Sequence, residues 1–297
     1  MTSGRAGPRL IADRLNMVKT IKKSKPSEGG KNKKAKYTAK SADKHLLYQL
    51  SVQSTEQEIE ILEETFEERR DRKAISLKED FCGTSLLACE WIKSDPERTA
   101  IGLDIDRPTL DWGIKNNVSR LGDAESRLTL LEQNVLEPTD PVHDICVGMN
   151  FSYFLFKKRD QLKAYFEAAY KSLNEEGIFF LDCYGGWESQ QVMDEKRKQK
   201  GFDYIWDQAD FNPVNNHVLN HIHFKFKDGS KMEKAFTYDW RLWSPAEIVE
   251  LLEEVGFKEV DVLWEDEDDD GDGLGTHSAV LDVENQPGWL CYIVGER

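Results

Sequence analysis

Apolar positions along the chain keep two different rhythms. Between residues 56 and 183, short apolar runs alternate with segments whose apolar residues recur every three or four positions. Residues 56–69 set Ile59, Leu62 and Phe66 on one helical face. Strands are predicted near 74–80, 100–104, 128–133, 144–149 and 178–183. Helices are predicted over 85–93 and from Pro108 to about Leu121. A third carries Leu162, Tyr165, Phe166, Ala169 and Leu173 and stops near Gly177. Such strand–helix alternation is the pattern of an α/β fold with a doubly wound, mostly parallel sheet.

After Tyr184-Gly185-Gly186 the period shortens to two. Residues 202–206, 217–227 and 231–238 alternate like antiparallel strands, with Asp228-Gly229 as a hairpin turn. Residues 187–240 are therefore predicted to be an inserted antiparallel β flap over the rim of the sheet. A helix over 244–255 follows, with Ser244 as N-cap, Pro245 in its first turn, Glu247 completing a capping box and Gly256 ending it. Strands over 258–264 and 289–294 are expected to close the chain as a hairpin across an acidic loop. No internal repeat is apparent.

Charge divides the chain more sharply than hydropathy does. Residues 1–44 hold 13 Lys+Arg and 3 Asp+Glu, a net of +10. Subtraction from the totals of 40 and 55 leaves 27 and 52 in residues 45–297, a net of −25. Residues 1–44 lack apolar periodicity and read as a disordered basic tail. The same composition suits a solvated tail, a nucleic-acid-contacting arm or an organelle transit segment. The folded portion, 45–297, repels a phosphate backbone, so nucleic acid is not the expected partner. No apolar run reaches eighteen residues, which excludes a spanning helix of ordinary length. The five cysteines are scattered without a CxxC pair. That spacing argues for a reducing, cytoplasmic setting and against a disulfide scaffold or zinc site.

Two segments carry the candidate chemistry. Residues 77–88 read as a strand end, a turn of small residues around Cys82-Gly83-Thr84, and a helix start. Such a turn lets backbone N–H groups face a ligand. About twenty residues on, the apolar strand over 100–104 ends in Asp104, a carboxylate suited to ribose hydroxyls. Together they describe a nucleoside-type cofactor across the carboxyl ends of a parallel sheet. The turn lacks the full GxGxxG that a dinucleotide pyrophosphate needs.

This arrangement resembles class I S-adenosylmethionine-dependent methyltransferases, from about Leu46 to the C-terminus. Their first motif runs acid-x-Gly-x-Gly-x-Gly. Here Glu79 takes the acidic position, Gly83 the central glycine, and Phe81 and Ser85 stand in place of the outer two. The resemblance implies a seven-stranded sheet and S-adenosyl-L-methionine as cofactor. It implies cofactor contacts from Glu79, Phe81, Cys82, Gly83, Thr84, Asp104 and Ile105. It also implies contacts from Asn134 and Val135 after the third strand, where relatives carry an acid for the adenine amino group, and from Asn150 after the fourth.

Tyr153 and Tyr184 lie near the same rim and are candidate catalytic groups. Trp187, Trp206, Trp240 and Trp243 suggest an aromatic wall favouring a cationic acceptor. His221 is a candidate general base. His221 and His223 share a strand face, but no Cys or carboxylate completes a metal set, so no metal is expected. The run Asp266, Asp268, Asp270, Gly271 starts like a calcium loop, yet its twelfth position is His277. The expected activity is in-line methyl transfer to a small-molecule acceptor, preferably an amine. The alternatives are an RNA or protein methyltransferase recruited by the basic tail, and a non-catalytic cofactor-binding protein. Oligomeric state is not readable.

Overall fold

The computed structural model describes residues 36–268 and 271–297, which divide into two compact units. The larger comprises Ser54–Gly185, Arg241–Asn285 and Leu290–Arg297. Of the described residues, 36–53, 186–240 and 286–289 form the smaller. Residues 1–35, where most of the expected disordered tail falls, lie outside the described ones, as does Asp270 of the calcium-like run.

The larger unit begins with helix α2 (Thr55–Arg70), after helix α1 (Lys44–Val52) of the smaller unit. It continues through β1 (Ser76–Asp80), α3 (Leu86–Ser94), β2 (Thr99–Asp104), α4 (Arg107–Asn116), β3 (Leu128–Glu132), β4 (His143–Gly148), α5 (Arg159–Ser172) and β5 (Leu173–Gly185). After the insert come α6 (Pro245–Val255), β10 (Val260–Glu267), β11 (Gly273–Ala279) and β12 (Trp289–Glu296). The sheet order is β11-β10-β12-β5-β4-β1-β2-β3. Strands β3, β2, β1, β4 and β5 pair in parallel, and β10 is antiparallel to both β12 and β11. The chain winds outward from β1 in one direction, then jumps across it to β4. The carboxyl ends of β1 and β4 thus flank a strand-order switch, where open α/β sheets present a crevice. Every residue of β4 is buried, as a central strand covered on both faces requires.

The fold class is the expected one, with eight strands rather than seven. The extra strand, β11, lies within the segment read as an acidic loop. Its sequence, Gly273 to Ala279, is polar and mostly exposed, so it carries no alternation to announce it. The helix from Pro108 ends at Asn116, short of Leu121, and is followed by two short tight turns. Helix α6 carries the full capping box of Ser244 and Glu247, and Gly256 ends it at φ +116°.

The smaller unit is a four-stranded antiparallel sheet in the order β6 (Met193–Lys198), β7 (Phe202–Asn212), β8 (His217–Phe226), β9 (Lys231–Arg241). Strand β6 is too charged to read as a strand from sequence. Leu47 of α1 packs with Phe202, Tyr204, Ile222, Phe224 and Phe226. Tyr37, Ala39 and Ala42 join that cluster, so residues 36–44 are packed chain, a correction to the tail boundary at 44. The Asp228-Gly229 turn forms as expected, with Gly229 at φ +87° and the Phe226 N–H bonded to the Ser230 carbonyl.

Gly186 begins the insert in a conformation reserved for glycine, φ +102° and ψ 168°. A Cβ there would stand 2.4 Å from the Pro287 carbonyl oxygen and 2.7 Å from that of Gln286. The backbone passes too close for any side chain. Gly186→Ala is expected to destabilise the protein by at least about 1–3 kcal/mol from the strained φ alone, with the steric overlap added. Chemical denaturation of the variant checks this; an unchanged midpoint would refute it.

Candidate functional site

The turn leaving β1 is built on three residues in the left-handed region: Phe81 at φ +54°, Gly83 at +53° and Ser85 at +57°. These are the three positions where the resemblance calls for glycine. The backbone keeps the shape that glycines would permit, and Phe81 and Ser85 adopt it at a cost of about 1–2 kcal/mol each. Packing holds them there. The Phe81 ring lies 5.3 Å from Tyr165 and 6.1 Å from Phe156, and the buried Ser85 Oγ donates to Cys82 Sγ. A Cβ on Gly83 would meet nothing nearer than 3.9 Å, so its demand is for φ and for an open face.

Two further groups brace this turn. A Cβ on Gly113 of α4 would stand 2.6 Å from the Thr84 carbonyl oxygen, so only glycine lets the helix approach this closely. Asn117 Nδ2 donates to that same carbonyl at 2.8 Å. Neither residue is marked by the motif. Cys82 is buried, and burial pushes its thiol well above the usual range, so it is packing rather than a nucleophile.

Asp104 ends β2 beside the turn and ties the two together. Its Oδ2 accepts from the Gly83 N–H at 2.8 Å and its Oδ1 from the Asp106 N–H at 2.8 Å. Burial raises its carboxyl above the usual value, opposed by those backbone bonds. The Ile105 N–H bonds the same carboxylate, so backbone donors engage three of its roughly four lone-pair sites and one is left for a ribose hydroxyl. Ile105, next in sequence, is 71% exposed, an apolar surface at the strand tip. After β3, Val135 is buried, while Asn134 Oδ1 accepts from the Leu136 N–H at 3.0 Å. The Asn134 oxygen expected for adenine therefore already serves a local turn.

Glu79 points inward at the end of β1. Its Oε2 accepts from the Ala88 N–H of α3 at 3.0 Å, and burial pushes its carboxyl up to about 8 despite that bond. After β4, Asn150 and Phe151 are consecutive left-handed residues at φ +57° and +56°. Their N–H groups form a small nest that grips one carboxylate: Asn150 N–H to Asp182 Oδ2 at 2.7 Å and Phe151 N–H to Asp182 Oδ1 at 2.8 Å. Asp182 belongs to β5 and was not among the expected site residues. Burial pushes it up to about 7, opposed by the nest.

Tyr153 is corrected from catalyst to scaffold. It is fully buried, its hydroxyl donates to the Asp182 carbonyl at 2.8 Å, and burial holds its phenol well above the usual range. Tyr184 is also buried, its ring 4.7 Å from Phe151 and stacked on Phe154 at 5.6 Å. Its ring packs in that aromatic cluster. His221 sits on β8 of the smaller unit, its Nδ1 3.0 Å from Thr237 Oγ1, and burial lowers its pKa. His223 receives the Lys234 N–H on Nδ1 at 3.0 Å, which leaves its Nε2 proton for Asp207 Oδ2 at 3.0 Å. Among the described residues, no three His, Cys, Asp or Glu side chains are grouped to hold a metal. In the calcium-like run, Asp268 Oδ1 accepts from the Asp272 N–H, and Asp266 Oδ2 from Thr276 Oγ1. All five cysteines are free and buried, and no helix among the described residues is long and apolar enough to cross a membrane.

Glu58, on α2, is the other residue that sequence reasoning missed. Burial is the main cause lifting its carboxyl to about 7, with the Asp182 charge adding to it. It flanks the Ile59, Leu62, Phe66 stripe, one turn before Leu62, and that edge position was its only signal.

No family model matches the sequence, and no curated protein does. Solved structures match closely in fold. A S-adenosylmethionine-dependent methyltransferase from Clostridium acetobutylicum aligns with a TM-score of 0.64 at 16% identity, over 85% of this chain and 96% of that one. An amino pentose methyltransferase from Micromonospora echinaspora, solved with S-adenosylmethionine bound, aligns at 0.59 and 12%, over 85% and 95%. A sugar N-methyltransferase from Streptoalloteichus aligns at 0.59 and 14%, over 94% and 99%. The chain has the fold of class I S-adenosylmethionine-dependent methyltransferases.

The raised carboxyls set a pH dependence. A carboxyl whose folded value exceeds its unfolded value favours the folded chain at low pH, and loses that contribution as pH rises through the folded value. Glu58, Glu79 and Asp182, at about 7, 8 and 7, all act in this sense. His143, His221 and His277 have lowered values and change charge below 6.5. Stability of the ligand-free protein is therefore expected to fall from about pH 6.5 to about pH 8.5, with about 1–2 kcal/mol of the loss due to Glu79. Melting midpoints across that range, for wild type and Glu79→Gln, check it. The variant should show the shallower fall, and parallel curves would refute the assignment.

Proposed function

We propose that this chain is an S-adenosylmethionine-dependent methyltransferase acting on a small-molecule acceptor, with an amine as the receiving group. The observation that carries the reading is the Asp104 carboxylate tied to the Gly83 N–H at the strand-order switch, with acceptor capacity left for a hydroxyl. The fit extends beyond it. The face of Gly83 is open, the start of α3 lies directly behind it, and Ile105 offers an apolar surface at the tip of β2. Glu79, Phe81, Cys82 and Thr84 shape the turn. Asn150 presents its side chain from a loop fixed by Asp182.

When bound, the cofactor supplies an electrophilic methyl group on a sulfonium, so the chain needs no nucleophile of its own. What its residues supply is position and exclusion of water. Asp104 would hold the ribose end, and the turn at 81–85 would hold the methionine end. The Phe151, Phe154 and Tyr184 rings give the rim a low-dielectric wall in which charge interactions strengthen. The insert leaves the chain from the carboxyl end of β5.

The amine preference draws on the surplus of acid in the folded portion, and on the two neighbours described as amino pentose and sugar N-methyltransferases. Calorimetric titration of S-adenosylhomocysteine tests the cofactor reading. Wild type should bind at micromolar strength, and Asp104→Ala should weaken binding by about tenfold or more, equivalent to about 1.4 kcal/mol. No binding to wild type would leave the non-catalytic reading.

The second reading is an RNA or protein substrate recruited by the basic tail, favoured only by the charge of residues 1–44. Deleting residues 1–35 separates the two without touching the packed Tyr37, Ala39 and Ala42. A small-molecule enzyme should keep its turnover with an amine acceptor. Loss of turnover on deletion would favour the macromolecular substrate.

A further inference from the structure

Glu58 is held like a receptor with an empty hand. The Ser54 backbone N–H bonds its carboxylate, anchoring it to the first turn of α2. Its Oε2 is shut off from solvent and has no hydrogen-bond partner among the described residues. A buried carboxylate oxygen without a donor is costly, and proteins rarely keep one without a use. Ordinary stability does not explain it, because the surroundings make matters worse. Asp182, Glu79 and the Tyr292 hydroxyl all lie within electrostatic reach, and each is acidic. Among the described residues no cation pairs with it, and no metal-holding group forms there.

Its neighbours also fix its place on the rim. Glu79 ends β1, Asp182 lies near the end of β5, and Tyr292 belongs to β12, in the sheet order β12-β5-β4-β1-β2. Glu58 therefore reaches the β4–β5 side of the switch point, while Asp104 stands across β1 on the β2 side. A cofactor held by its ribose at Asp104 and reaching across the turn after β1 would extend toward the side on which Glu58 lies.

We propose that the free Oε2 of Glu58 receives the protonated amine of the acceptor at the point of methyl transfer. This deepens the methyltransferase reading and rests on it. The ligand class is a primary or secondary ammonium, which supplies the missing donor and the missing positive charge together. The site also suits release of the proton. When it passes from nitrogen to Oε2, an ion pair becomes a neutral amine and a neutral carboxyl, and the nitrogen regains its lone pair. The carboxyl's raised value, about 7, keeps that transfer within reach near neutrality.

Sinefungin is the probe, because it carries an amine where the cofactor carries its methyl, whereas S-adenosylhomocysteine carries nothing there. Both are titrated calorimetrically into the full-length wild type and Glu58→Gln. Wild type should prefer sinefungin by about tenfold or more. Glu58→Gln should abolish that preference while binding S-adenosylhomocysteine within about twofold of wild type, which also reports a folded site. In wild type the preference should grow from pH 6 to pH 8 as Glu58 ionises, a measurement that needs no variant. Equal weakening of both ligands would mean that Glu58 meets the methionine ammonium they share, and would overturn the proposal. An unchanged preference, with S-adenosylhomocysteine still bound, would overturn it and leave the cofactor site standing. Wild type that binds neither ligand would overturn both.

Discussion

The bond between the Gly83 N–H and the Asp104 carboxylate is the contact on which the rest of the rim depends. It joins the turn after β1 to the tip of β2, and so fixes where a helix N-terminus meets an acid. The turn needs that restraint. Three left-handed residues in five is a costly run for a chain with a single glycine among them. Strain of this size persists only where the surroundings over-determine it. Asp104 pins the turn from the side, and Asn117 and the bare Cα of Gly113 support it from α4. The Phe81 ring, wedged against Tyr165 and Phe156, turns the cost of a non-glycine into packing.

A second clasp repeats this logic on the next strand pair. Asn150 and Phe151 are left-handed without being glycine, and the Asp182 carboxylate pays for their conformation by accepting both N–H groups. In each clasp an acid at a strand end holds the backbone of the neighbouring loop. Burial raises both acids, and the backbone donors pull them back toward the ionised form. The rim is thus built from backbone dipoles facing carboxylates. Its shape is set before any ligand arrives, which is the condition for catalysis by positioning.

Much of this was legible in the residues. The turn at 81–85, Asp104 and the capped helix at 244–255 announce themselves because each uses a residue type for a backbone reason. The alternation of β4 and β5 with helices gave the parallel sheet. What was not legible has physical causes. Strands β6 and β11 are held by their neighbours' hydrogen bonds and carry charged or small polar residues, so no period-two signal exists. Gly113 looks like a poor helix residue until α4 is seen against the Thr84 carbonyl. Tyr153 and Tyr184 read as reactive because their position along the chain is right, and only the fold shows that both are buried. Glu58 and Asp182 are ordinary acids in sequence. The two N–H groups on Asp182 and the donor-free burial of Glu58 Oε2 among the described residues exist only in the fold.

The treatment of buried charge separates scaffold from site. On β1, Lys78 is completely buried, yet it is matched: its ammonium bonds Asp80 Oδ1 and lies 3.9 Å from Cys146 Sγ, while Asp80 Oδ2 accepts from Tyr165 and Cys146. Burial acts to discharge the lysine, and Asp80 and Cys146 outweigh it, so its pKa is raised. That network pairs the buried cation with a buried anion. One residue along the same strand, Glu79 lies within electrostatic reach of Glu58, which in turn lies within reach of Asp182, and no cation of the described residues is among the groups acting on these three acids. Here burial is not offset by a cation: it pushes the carboxyls of Glu58, Glu79 and Asp182 up to about 7, 8 and 7, opposed only by backbone N–H groups, so the fold favours their neutral form where it keeps Lys78 charged.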